Sequence, residues 1–85
     1  MHEPHIAKSI LETALKNAPK NAKLIKKINI IAGMMSHIEK EGLEPHFREI
    51  AKGTIAQDAL LYVRKEKKLS ENSLGVTVEN IEAIC

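Results

Sequence analysis

One cysteine, one tyrosine, one phenylalanine and no tryptophan occur among the 85 residues, and each scarcity removes a class of function. A lone thiol, Cys85, supplies neither an internal disulfide nor a Cys-rich zinc cluster, and it suits a reducing cytoplasm. With so few aromatics, and a formal charge of only +2 from 13 basic and 11 acidic residues, there is neither a stacking platform nor a concentrated basic face for nucleic acid. No apolar run approaches the roughly 20 residues of a membrane span, and the first residues lack the basic segment and apolar core of a signal peptide. Also missing are a Gly-rich phosphate loop, a Ser/His/Asp pattern and a paired-carboxylate arrangement, so the chain is not expected to be an enzyme.

What is present is apolar periodicity. A chain of this length makes one domain, 1–85, burying roughly 60 to 65% of its unfolded surface, so contacts with a partner would add useful stability. From Pro4 onward, Ile6, Ala7, Ile10, Leu11, Ala14, Leu15 and Ala18 recur at helical spacing, which predicts an amphipathic helix ended by Asn17, Pro19 and Asn21. Its outer face, Lys8, Glu12 and Lys16, is mixed in charge, which favours core packing over a membrane surface. Residues 23–32 read as a strand with Leu24, Ile28, Ile30 and Ala32 on one side and Ile25, Lys27, Asn29 and Ile31 on the other. The lysines at 20, 23, 26 and 27 read as a solvated strand face.

A second helix carries Leu43, Phe47, Ile50 and Ala51 on one face. Pro45 places its first residue near Gly42 or Leu43, because an interior proline clashes with the carbonyl four residues back, and Gly53 provides the left-handed position that closes it. Strands over 59–65 and 75–84 follow, the last with a bulge near Asn80 that reconciles Val76 and Val78 with Ile81 and Ala83. The order αβαββ predicts a two-layer α/β domain, a three-stranded mixed sheet with two helices on one face. The first two strands should run parallel through a right-handed crossover, and the third should pair antiparallel with the second across the charged connection 65–73. On the bare side of the sheet Ile31, Leu60 and Tyr62, together with Ile25, form an apolar surface suited to a homodimer.

Candidate chemistry concentrates in Met1-His2-Glu3-Pro4-His5. The Met1 amine, the ionised amide of His2 and the His2 imidazole can close two fused chelate rings around a divalent ion, leaving a fourth in-plane position for Glu3 or His5. Nitrogen-rich tetragonal sites of this kind suit nickel or copper. Pro4, having no N–H, ends the run of amide donors. A fraying terminus whose imidazoles bind nothing is the competing reading. His37 and His46 read as exposed residues of a loop and a first helical turn, and with the histidines scattered no structural zinc is expected.

The sequence resembles the HypA/HybF family of hydrogenase and urease nickel incorporation proteins along nearly its whole length. The likeness runs through Met1-His2-Glu3 with Ala7, Ser9, Ile10 and Leu11, then 33–54 with Ser36, Glu39, Glu41, Leu43, Phe47 and Lys52-Gly53-Thr54. It continues in Ala59, Leu61 and Val63 and in Val76, Val78, Ile81 and Glu82. The resemblance implies a metallochaperone that takes nickel at Met1-His2-Glu3, with His2 as the essential ligand, and hands it to hydrogenase or urease maturation proteins. Three departures stand out: residues 65–73 occupy the place where the family inserts a zinc domain with two Cys-x-x-Cys pairs, Met34 replaces a common Glu, and His5 is an added ligand. The alternative is an interaction module or regulatory paralogue of the same fold that has lost metal delivery.

Overall fold

The computed structural model of the protein describes residues 3–33, 38–66 and 75–85, with side chains from His5 onward. Five elements follow in the order α1 (Glu3–Asn17), β1 (Leu24–Ala32), α2 (Lys40–Ala51), β2 (Leu60–Lys65) and β3 (Val76–Ile84), the αβαββ order expected. β1 is the middle strand of a three-stranded sheet ordered β2-β1-β3. It pairs parallel with β2, from Lys27↔Leu60 to Ala32↔Lys65, and antiparallel with β3, from Leu24↔Ile84 to Ala32↔Val76. The last strand therefore joins the first rather than the second. The long crossover through α2 leaves β1 with a free edge, and β1 offers β3 a longer apolar partner than the six-residue β2.

Two irregularities in the β1–β3 ladder decide which side chains reach the core. The register shifts between Asn29 and Ile30, where Asn80 and Val78 are successive partners, so Glu79 is the extra residue, close to the bulge anticipated at Asn80. A second shift lies between Ile25 and Lys27 and makes Lys26 the extra residue of β1. Strict alternation would have put Leu24 inside and Ile25 outside; the bulge reverses both, with Ile25 1% exposed and Leu24 40%. Ile25 is thus withdrawn from the bare side of the sheet.

Both helices cover the face that carries Ile28, Ile30, Ala32 and Leu61, with α1 packed on α2 and over β3 and α2 over β2. Ile6, Ala7, Ile10, Leu11 and Ala14 of α1 and Leu43, Phe47 and Ala51 of α2 are buried, the alanines allowing close approach, while Leu15 and Ile50 lie at the rim and stay partly exposed. α2 begins at Lys40, earlier than Pro45 suggested, and holds that proline as its sixth residue. The amides of Gly42 and Leu43 both donate to the Glu39 carbonyl and fix the first turn. The carbonyl left without an amide by Pro45 belongs to Glu41, an exposed residue where water can serve it.

Lys52 (φ −56°, ψ 132°) and Gly53 (φ 81°) form a type II turn closed by the Thr54 amide on the Ala51 carbonyl at 3.0 Å. Gln57 accepts the Gly53 amide on its side chain at 2.9 Å, and its carbonyl accepts from Arg48 at 2.9 Å. Replacing Ile25 with Ala should cost about 2 to 5 kcal/mol in urea unfolding and Leu24→Ala distinctly less; the reverse order would remove the bulge at Lys26. Gly53→Ala should destabilise by about 1 kcal/mol through backbone strain alone, since nothing lies within 4 Å of its added methyl group.

Candidate functional site

Of the four candidate ligands, Met1 and His2 lie outside the described residues, as does His37. Glu3 is the first residue of α1, and His5 is exposed on its first turn. The burial of Ile6 and Ala7 pins that turn to the core, so the helix backbone at Glu3 and His5, the described part of the candidate segment, is held at a fixed place. His5 opens onto a shallow concavity of about 390 Å³ that runs along the outer face of α1 past Lys8, Ser9, Glu12, Thr13 and Lys16. Among the described residues no three His, Cys, Asp or Glu side chains come together as a metal-binding group. His46 is exposed on α2, beyond its first turn.

The bare side of the sheet is more polar than its apolar pattern promised. Lys27 reaches Glu82 at 3.9 Å, the Asn29 side-chain amide donates to Asn80 at 2.6 Å, and Arg64 crosses β1 to meet Glu79 at 3.1 Å. The first two pairs join β1 to β3, and the third spans all three strands. Exposed apolar surface remains on β2, where Leu60 is 57% and Tyr62 54% exposed, and at the Leu24–Ile84 end of the β1–β3 ladder, while Ile31 is half-buried. A second concavity of about 400 Å³, which sequence patterning did not reveal, lies between the start of α2 and β2 and is lined in part by Ile38, Glu39, Leu61 and Val63. Only knowledge that β2 ends the sheet would have pointed to it.

The sequence model of one family, described as hydrogenase/urease nickel incorporation, metallochaperone, hypA, matches residues 1–84. The chain belongs to the HypA family. HypA proteins are nickel metallochaperones rather than enzymes, serve hydrogenase and urease maturation, and have nickel as their metal. The solution structure of the Ni metallochaperone HypA from Helicobacter pylori superposes with a TM-score of 0.78 over 99% of this chain and 98% of that one. At 18% identity that likeness shows a shared HypA fold. No curated protein matches the chain in sequence. No helix among the described residues is long and apolar enough to cross a membrane.

The described core of this HypA chain is closed by aliphatic and aromatic side chains from both helices and the sheet. Treatment with a strong chelator should accordingly leave the far-ultraviolet circular dichroism and the melting temperature unchanged. A large loss of helical signal would mean that a structural metal has been removed.

Proposed function

We propose that the chain binds nickel at Met1-His2-Glu3 and passes it to a hydrogenase or urease maturation protein. The observation that carries this reading is the family match beginning at residue 1, which includes the Met-His-Glu segment. The Met1 amine, the His2 amide nitrogen and the His2 imidazole supply three donors from one short segment, and Glu3 or His5 supplies the fourth. One five-membered and one six-membered chelate ring, fused at the His2 amide, favour a planar nitrogen field, which suits nickel. The fourth, weaker position is where an acceptor's ligand enters, so release begins by exchange of one side chain. His5, exposed on the first turn of α1, is within the same short segment and free of any buried role.

Self-association belongs to the same proposal. Leu60 and Tyr62, with Ile31 beside them, supply apolar surface on the side of the sheet that the helices leave bare, and a second copy is the partner that a small two-layer domain meets most simply. The cytoplasm, where nickel enzymes are matured, is the proposed location.

Nickel titration of protein whose first residue is Met1 should give saturable binding that weakens on acidification, since amine, amide and imidazole must all lose protons. His2→Ala should lower affinity by about a hundredfold or more, a loss of at least about 2.7 kcal/mol. Extra residues before Met1 should have a comparable effect. If His2→Ala binds as tightly as the parent chain, the site is elsewhere. Comparing His5→Ala with Glu3→Gln then identifies the fourth ligand.

A further inference from the structure

Charge is unevenly placed along this chain. Between Glu12 and Glu39 there are five lysines, at 16, 20, 23, 26 and 27, and no acidic residue. The fold gathers them at the end of the domain where α1 stops and β1 begins, the length of α1, about 22 Å, from Glu3. Of the five, Lys27 is engaged, by Glu82 at 3.9 Å and by the Tyr62 ring. Lys16, Lys20, Lys23 and Lys26 are exposed and make no ion pair with any described residue. Elsewhere among the described residues every Lys and Arg except Lys8 is paired with a carboxylate. Two apolar side chains lie among the unpaired lysines. Leu24 and Ile84 are partners in the β1–β3 ladder, so they stand side by side on one face, and both are exposed. Beside Leu24 begins a concavity of about 370 Å³ whose walls include Lys23, Ile55, Gln57 and Asp58 and which ends at the Gly53 turn. Backbone bonds fix its shape: the Lys23 amide donates to the Ile84 carbonyl at 2.6 Å and the Ile25 amide to the Ile55 carbonyl at 2.8 Å.

We propose that this end of the domain docks an acidic segment of a partner protein, whose carboxylates meet Lys20, Lys23 and Lys26 and whose apolar side chain lies against Leu24 and Ile84 at the mouth of the concavity. The unpaired lysines select negative charge, and the apolar pair between them selects a protein chain over a phosphate-rich ligand. Nucleic acid finds neither a free guanidinium nor a stacking ring here: Arg48 is committed to the Gln57 carbonyl and Glu44, Arg64 to Glu79, and no aromatic residue lines the concavity. An anionic membrane is gripped by interfacial aromatics on a broad apolar face. This surface is concave, holds no Trp, Tyr or Phe, and includes Asp58, which repels lipid phosphates but accepts an N–H from a peptide and so orients it. Docking at this end leaves the other end of α1 uncovered, so a partner can be held here while an exchange takes place there.

The probe is a synthetic peptide, acetyl-Glu-Asp-Leu-Glu-Asp-amide, titrated at low salt into the whole isotope-labelled chain and followed by amide chemical shifts. The shifts should concentrate at Lys20, Lys23, Leu24, Ile55 and Ile84 and weaken as salt is added. Lys20→Glu combined with Lys23→Glu should lower the affinity by at least about tenfold. Leu24→Ser should lower it by at least about threefold, through the apolar contact alone. All three side chains are exposed, so circular dichroism should show the fold unchanged. The same peptide with serine in place of its leucine should bind the parent chain as weakly as the intact peptide binds Leu24→Ser. Shifts spread evenly over Lys8, Lys40 and the other lysines, or binding indifferent to Leu24→Ser, would reduce the contact to unspecific charge attraction and overturn the site. No shift at these residues with millimolar peptide would overturn it too. Phosphatidylglycerol vesicles or a single-stranded oligonucleotide perturbing the same amides, where the peptide does not, would replace the protein partner with a lipid surface or a nucleic acid.

Discussion

Side chains on a strand alternate between two faces, and neither β1 nor β3 has a sequence that keeps its apolar residues on one side under strict alternation. The sheet resolves this with one extra residue on each strand, Lys26 on β1 and Glu79 on β3. Both are charged and lie where the chain turns toward solvent, so the added residue costs no buried polar group. Along β1, Ile28, Ile30 and Ala32 keep the ordinary period, and on the other side of Lys26 Ile25 rejoins them in the core. The docking of both helices depends on that continuous apolar floor, because α1 lies over the β3 side and α2 over the β2 side.

α2 shows how far tertiary burial overrides local preference. Its N-cap, Glu39, makes no side-chain capping bond, and a proline stands within its second turn, so the segment would form a poor helix in isolation. Leu43, Phe47 and Ala51 hold it against the sheet and α1, and the turn at Lys52 and Gly53 stops it cleanly. The same weighting explains why the helix starts earlier than Pro45 alone suggests. A proline near the first turns removes one hydrogen bond on the wet side, which the burial of Leu43 and Phe47 outweighs.

Element order, the parallel pairing of β1 with β2, the bulge near Asn80 and the left-handed Gly53 were legible because each follows from a local pattern or from a rule of chain connection. The bulge at Lys26 was not, since Leu24 and Ile25 are both apolar and either could have faced inward. Nor was the choice of partner for β3, which depends on which edge of β1 the α2 crossover leaves open. Leu15 and Ile50 fit the helical stripe yet lie beyond the reach of the sheet, a matter of the sheet's width rather than of periodicity. The candidate metal ligands were read from donor chemistry and order in the sequence alone. Of them the fold adds only the position of α1 and the exposure of His5.

The middle strand takes its antiparallel neighbour from the far end of the chain, and α1 packs over that same strand. Loop closure between such distant segments must precede the contacts that reward it, which slows folding relative to a chain built from local pairs. During synthesis the first helix emerges long before β3 exists to receive it. α1 can meet α2 before that, but the surface on which it lies is completed only when β3 joins the open edge of β1.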